Sequence, residues 1–253
     1  MTTRRRVGIV GVPPLAVIRR LNEEGCQILD LDESQVRADI DLASAWLPRV
    51  YCAILRTAVL NAMHLQLDEL VIDVGPGKCD CALHVAAILA DRLAIPVTPT
   101  RNEDRQSFGT PLCRTAMPLM ERMAAITRTV RDWRPHPPQP PCEPTAGFWG
   151  VPPRDFSLLA AFPEQTHVYG WSRCLENKTP ADLDLEGHVN LSVPTIFFAQ
   201  SFCAKTALAR HLAAKHPRGL YLDCDVSASG SVRAKIEAFF QLHGAVVPAV
   251  GGI

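Results

Sequence analysis

Apolar residues along this chain fall in short runs closed by Gly and Pro, and these alternate with longer stretches in which they recur at helical spacing. Val7–Val10 is such a run, followed by Gly11-Val12-Pro13-Pro14, and predicts a strand, a tight turn and a helix through Leu15–Glu24 that Gly25 stops. Cys26–Leu31 reads as a second strand. Val50–Leu67 carries Ile54, Leu55, Ala58, Val59, Ala62 and Met63 at helical spacing. Leu70–Val74 is a buried strand ended by Gly75-Pro76-Gly77, Cys81–Leu93 a helix, and Ile95–Val97 a further strand. Thr110–Trp133 reads as a helix broken near Pro118. Further on, Val193–Ala199 and Gly219–Cys224 read as strands and Ala204–Lys215 as a helix, with a turn at Ser227–Ser231. Ser231–His243 is a closing helix with Val232, Ile236, Phe239 and Phe240 on one face, and Pro248–Ile253 a loose tail.

Strands alternating with helices predict an α/β fold with parallel sheets covered on both faces. The stiff proline-rich stretch Arg134–Pro144 is the best boundary. It divides the chain into an N-terminal α/β half, 1–108, a helical and Pro-rich connector, 109–145, and a C-terminal α/β half, 146–253. The halves resemble each other. Val7-Gly-Ile-Val-Gly-Val-Pro-Pro14 and Ala146-Gly-Phe-Trp-Gly-Val-Pro-Pro153 share Gly-x-x-Gly-Val-Pro-Pro. Each half later presents an apolar strand, a short loop with a cysteine (Cys79 or Cys203), and an Ala/Leu-rich helix. This is the pattern of a duplicated unit of Rossmann-like character.

Composition narrows the function classes. The 253 residues are 47% hydrophobic and 21% charged, with 26 basic and 26 acidic side chains. That balance calls for neither nucleic acid nor an anionic membrane. The Arg4-Arg5-Arg6 run reads as a solvated end. No apolar run approaches the ~20 residues of a membrane helix, and no signal-peptide core follows the N-terminal arginines. A cytoplasmic location is therefore expected, and in that reducing compartment the nine cysteines are not read as disulfides.

Most free cysteines are small buried hydrophobes. Cys79 and Cys203 differ, because both follow a buried strand, at the sheet edge where open parallel sheets bind ligands. Both also precede a helix, whose N-terminal partial positive charge favours thiolate. Cys52 likewise opens a helix. If the halves face each other, the three can converge. Three thiolates suit an iron–sulfur cluster with one iron left to another ligand, or zinc with an open position. The spacings match no zinc finger, and Cys79-x-Cys81 is one residue short of a C-x₂-C knuckle. Cys81 is an alternative to Cys79 as ligand. Cys174 reads as lying in a polar loop, Cys26 and Cys224 as core, and Cys113 and Cys142 carry no role. Arg56 stands one helical turn beyond Cys52, where it would balance cluster charge, bind an anion or form a salt bridge. His64, His84 and His211 fall in helices. Gly8–Gly11 and Gly147–Gly150 lack the third glycine of a dinucleotide fingerprint, and Gly75-Pro-Gly-Lys78 is not a Walker loop.

Tyr51-Cys52-Ala-Ile-Leu-Arg56, Leu70-Val-Ile-Asp-Val-Gly-Pro-Gly-Lys-Cys79-Asp80 and Phe197-Phe-Ala-Gln-Ser-Phe-Cys203 are similar, in that order, to the three cysteine segments of the 2-hydroxyacyl-CoA dehydratase family. That family includes benzoyl-CoA reductase subunits and double-cubane-cluster proteins. Its segments tend to read C-[ST]-x-x-R, T-C-D and K-F-C. Leu220–Phe239 also resembles the family's closing strand and its R-x-x-I-E-A-F helix. The four patches cover about half the chain. The resemblance implies that Cys52, Cys79 and Cys203 ligate a [4Fe–4S] cluster or one half of a double-cubane cluster, at the interface of the two halves. It also implies low-potential electron transfer or reduction, an ATP-dependent reductive activator, and a homo- or heterodimer with a related subunit. Ala53 stands where the family has Ser or Thr, and Gln200-Ser201-Phe202 replaces its Lys-Phe approach. Family subunits are longer, so a shortened member is implied. No general acid or base is assigned. Beside a dehydratase-like reductase stand two other expectations: a non-catalytic cluster carrier, assembly factor or accessory subunit, and a metal-free α/β binding module.

Overall fold

The computed structural model describes residues 4–75 and 81–245. The chain forms two α/β units, each built on a four-stranded, all-parallel sheet flanked by helices. The first unit comprises residues 1–108 with 128–135 and 177–182; the second comprises 109–127, 136–176 and 183–253.

In the first unit, strands β1 (Arg6–Val10), β2 (Gln27–Asp30), β3 (Glu69–Asp73) and β4 (Val97–Thr100) stand in the order β2-β1-β3-β4. Helix α1 (Leu15–Glu23) buries Ile18 and Leu21. Helix α2 (Ala53–His64) is buried at every position from Leu55 to Ala62, and α3 (Cys81–Arg92) buries Ala82, Val85, Ala86 and Leu89. Burial on every face marks α2 as a helix inside a layered core rather than on its surface, and its polar residues Arg56, Thr57 and Asn61 are each hydrogen-bonded there. Strand β4 is an edge strand, so Pro99 interrupts no inner ladder. It lies slightly beyond the expected Ile95–Val97, because an edge strand with exposed Thr98 and Pro99 needs no apolar run.

The second unit repeats the arrangement. Strands β5 (Ala146–Gly150), β6 (Thr166–Tyr169), β7 (Thr195–Gln200) and β8 (Gly219–Cys224) stand in the order β6-β5-β7-β8. Helices α4 (Leu119–Arg128), α5 (Trp171–Asn177), α6 (Leu183–Gly187), α7 (Thr206–Lys215) and α8 (Gly230–Leu242) accompany them. Trp149, Tyr169 and Phe197 pack under Ala209 and Ala213 of α7. Phe148 stacks on Phe198 and meets Phe162, which in turn meets Phe240 of α8.

The duplication holds at the level of register. Gly8 pairs with Leu70, and Gly147 with Thr195. Neither glycine has room for a side chain: a Cβ on Gly8 would lie 2.9 Å from Leu31 and 3.0 Å from Leu70, and one on Gly147 2.4 Å from Thr195 Oγ1. The second glycines of the motif, Gly11 and Gly150, both have positive φ, 78° and 152°.

Two expectations are corrected. Residues 110–117 are not helical. The Leu112 and Cys113 N–H groups donate to the buried Glu176 carboxylate, and Thr115 bridges Pro141 in antiparallel fashion, so the helix starts only after Pro118. Cys174 is not in a polar loop but fully buried in α5, because its charged neighbours Arg173 and Glu176 turn inward and pair at 3.4 Å. The tail from Pro248 lies outside the described residues. Among the described residues no helix is long and apolar enough to cross a membrane.

Asp30 ends β2 in a buried position, where burial and then the neighbouring charges of Asp32 and Glu33 push its carboxyl well above the ordinary value of 3.8. The fold therefore holds its proton more tightly than the unfolded chain does. The stability this contributes is present at low pH and lost as pH rises through the raised value. Asp30→Asn should leave stability nearly unchanged at pH 4 and raise it by roughly 1 kcal/mol or more at pH 8, read from thermal melts across that range.

Candidate functional site

In a parallel sheet of order 2-1-3-4 the connections from the first strand diverge, and the crevice beyond the carboxyl ends of the first and third strands is open to ligands. Both units have such a switch point, between β1 and β3 and between β5 and β7.

In the second unit the loop leaving β7 carries Cys203. Its N–H donates to the Gln200 carbonyl at 2.9 Å, and its own carbonyl accepts from Thr206 N–H at 3.0 Å, so the loop turns directly into α7. Cys203 is half-buried. Phe202 before it has φ +62°, a left-handed backbone that costs a non-glycine residue roughly 1–2 kcal/mol. Gln200 is fully buried. Its Nε2 donates to the carbonyls of Cys224 (2.9 Å) and Asp225, and its Oε1 accepts from Arg154 N–H at 3.2 Å. One side chain thus ties together the ends of β7 and β8 and the loop after β5. Ser201 Oγ donates to Asp223 at 2.6 Å. Lys205, two residues past the cysteine, places Nζ 2.6 Å from Glu186 Oε1 and over the Trp171 ring. Glu186 is buried, Cys174 Sγ lies 4.0 Å from the same oxygen, and Trp149 Nε1–H donates to the Glu186 carbonyl at 2.6 Å.

In the first unit Cys52 is the buried N-cap of α2, with extended backbone (φ −61°, ψ 151°). Its carbonyl accepts from Arg56 N–H at 3.1 Å. The Arg56 guanidinium is buried and donates to Asp41 at 2.7 Å, which realises the salt bridge among the expected roles for it. Cys79 lies outside the described residues. Cys81 is the exposed first residue of α3. Counted along the sequence from the paired residues Leu70 and Thr195, Cys79 and Cys203 come nine and eight residues on; counted from the strand ends, Asp73 and Gln200, they come six and three residues on.

The switch point of the first unit is braced by Asn102, also fully buried. Its Nδ2 donates to the carbonyls of Val12 and Lys178, each at 2.9 Å, its N–H donates to Asp73 Oδ1, and its Oδ1 accepts from Asp104 N–H. Asp104 Oδ2 then accepts from Leu15 N–H at 2.9 Å, filling a cap that Pro14 offers no side-chain acceptor for.

The remaining cysteines have structural surroundings. Burial, then the Glu176 charge, pushes the Cys113 thiol up to about 12. Burial also raises those of Cys26 and Cys224. Cys26 precedes β2 rather than lying in it, and is half-buried. Cys142 is half-buried, with its thiol 3.2 Å from the Thr115 carbonyl. His64, His84 and His211 lie in α2, α3 and α7 as expected. Among the described residues no group of three or more His, Cys, Asp or Glu is placed to hold a metal ion. A cavity of about 560 Å³ opens at the opposite, amino-terminal edge of the second sheet, lined by Thr145, Gln165, Ser192, Arg218 and His243 among others.

Lys178 was not singled out by pattern, since a lone lysine in a polar stretch carries no signal. It is buried, with φ +57°, and its ammonium donates to the Thr129 carbonyl over the Phe108 ring. Burial lowers it to about 8, with Asp132 opposing.

No protein-family model matches the chain, and comparison with curated proteins finds no match.

Two predictions follow from these braces. Gln200→Leu keeps the volume but removes a partner from the Asp225 carbonyl and Arg154 N–H, while the Cys224 carbonyl keeps Ser201 N–H, and should cost roughly 2–3 kcal/mol in urea unfolding. The folded value of Lys178 lies below the 10.5 of the unfolded chain, so the fold disfavours its charged form and stability climbs between pH 8 and 10.5. In Lys178→Met that climb, roughly 1–3 kcal/mol, should vanish from the pH series.

Proposed function

We propose that the chain is an iron–sulfur protein of the 2-hydroxyacyl-CoA dehydratase type. Cys52, Cys79 and Cys203 would hold a [4Fe–4S] cluster, or one half of a double-cubane cluster, for low-potential electron transfer or reduction in the reducing cytoplasm. The observation that carries this reading is the duplicated switch point. Cys203 sits in the loop leaving the third strand of its sheet, three residues past Gln200, and Cys79 comes six residues after Asp73, the end of the third strand of the other.

The donors described fit such a group. Cys52 caps a helix whose first N–H groups favour a thiolate, and Cys203 is accessible in the turn before α7. Three thiolates would leave one iron open, and a bound cluster supplies a one-electron couple at that iron. The residues of the chain do the rest: Gln200 fixes the end of β7, from which the Cys203 loop leaves, Asn102 fixes the end of β3, and Arg56 is neutralised by Asp41 and so is committed to α2. An ATP-dependent reductive activator and a related subunit in a dimer are the partners this reading calls for, and anaerobic handling its practical consequence.

The test is anaerobic reconstitution with iron and sulfide. Wild-type protein should bind about four irons per cluster and show visible thiolate-to-iron absorbance. Cys52→Ser, Cys79→Ser and Cys203→Ser should each lose most of both, whereas Cys113→Ser should keep them. Wild-type protein without iron, or a triple Ser variant that retains it, would sink the reading. A cluster that passes to an apo-protein but reduces no acyl-CoA would turn it into a carrier or accessory subunit.

A further inference from the structure

The outer strand of a sheet presents a row of backbone groups that no neighbour takes up, and proteins ordinarily blunt such an edge with a short strand, a proline or a cover. Strands β2, β4 and β6 are treated in that way. The turn at Thr129–Arg131 lies against β2, β4 carries Pro99, and β6 is buried along its length and gives Val168 N–H to the Cys113 carbonyl. Strand β8 is the exception. It has six residues where each of the other edge strands has four, and Gly219, Leu220 and Tyr221 are half-buried and Asp223 exposed. Thr195 N–H donates to the Arg218 carbonyl and Ser201 N–H to the Cys224 carbonyl, so the even-numbered residues of β8 turn their backbone groups toward β7. Gly219, Tyr221 and Asp223 turn theirs outward, and nothing among the described residues bonds to them. The Asp223 side chain does not guard this edge. It is folded back, accepting from Ser201 Oγ at 2.6 Å and from the Tyr221 hydroxyl at 3.1 Å.

We propose that β8 pairs with β8 of a second copy of this chain, antiparallel about a two-fold axis at Tyr221, so that the second sheet continues across a homodimer. Charge selects this occupant. Lys215 and Arg218 precede the strand, and Asp223 and Asp225 close it. Antiparallel pairing brings the basic end of each copy to the acidic end of the other, whereas a parallel copy would meet like charge at both ends. With Tyr221 opposite its counterpart, Gly219 stands opposite Asp223, and each outward N–H and C=O gains a partner. The pairing needs no metal, so it stands or falls apart from the iron–sulfur reading.

Sedimentation velocity of the metal-free full chain, from about 1 to about 200 μM, should show a monomer–dimer equilibrium. Asp223→Pro removes an outward N–H without touching the β7–β8 ladder, and should weaken the dimer at least roughly tenfold. Arg218→Glu sets like charges together at both ends and should weaken it as well, while Arg218→Glu combined with Asp225→Arg should restore it. The amides of Tyr221 and Asp223 should exchange more slowly with solvent as the protein concentration rises. A chain that stays monomeric over that range would overturn the proposal. So would a dimer indifferent to Asp223→Pro and to the charge reversal, which would place the interface elsewhere. A double variant no better than Arg218→Glu would overturn the antiparallel arrangement. Edge amides protected equally at every concentration would put a different occupant on β8. The charge swap decides alone if circular dichroism finds Asp223→Pro unfolded.

Discussion

A parallel sheet ends in a problem that its ladder cannot solve. Beyond the carboxyl ends of the strands, backbone N–H and C=O groups leave their partners while still in the interior, and each one left bare is costly. Both units answer with fully buried carboxamides: the second with Gln200, the first with Asn102 and with Asn61, which donates to the Leu31 and Glu33 carbonyls and accepts from Gln35 N–H beyond β2. Asn102 reaches the loop after β1, the end of β3 and residue 178; Gln200 reaches the loop after β5 and the end of β8. The carboxamide is suited to this because it donates and accepts at once and carries no charge to desolvate. Asn102 lies two residues past the fourth strand of its sheet, whereas Gln200 ends the third strand of its own. The equivalent loops after β1 and β5 are thus secured by separate routes.

Around those braces the units admit ionised groups that the interior would ordinarily reject. Glu186 is tolerated because Lys205 is at 2.6 Å, and Glu176 because two backbone N–H groups and Arg173 face it. Breaking such pairs costs more than never having made them. Asp30 and Lys178 are resolved differently: burial moves each toward its neutral form. The polar interior is thus concentrated around the strand ends and the segments that pass them, while the aromatic cluster of Trp149, Tyr169 and Phe197 holds the body of the second sheet.

The iron–sulfur reading draws its strength from repetition rather than from any one thiol. A cysteine at a helix N-terminus is common; a cysteine in the stretch that follows the third strand in each of two units with one topology is a narrower coincidence. Cys52 has no counterpart of that kind, and the helix that follows β6 carries its cysteine, Cys174, inside.

The sequence by itself determined the α/β class, the duplication, and most strands and helices that bury a continuous apolar face, since β1, β3, β7, β8, α1, α3 and α8 are each specified by local periodicity and by Gly or Pro at their ends. It also singled out Cys52 and Cys203 at the starts of helices, where the structure has them. Only the tertiary structure decided the stretches whose partners are distant. Residues 110–117 lose their helix to the Glu176 carboxylate, and Arg173, Glu176 and Lys178 look solvated in sequence but are buried. Strand β6 and helices α5 and α6 carry no separable pattern of their own. The assignment of 128–135 and 177–182 to the first unit has no local signal at all. The physical reason is the same throughout: apolar burial repeats with the period of the backbone and can be read locally, whereas the satisfaction of a buried polar group depends on a partner that only the fold brings near.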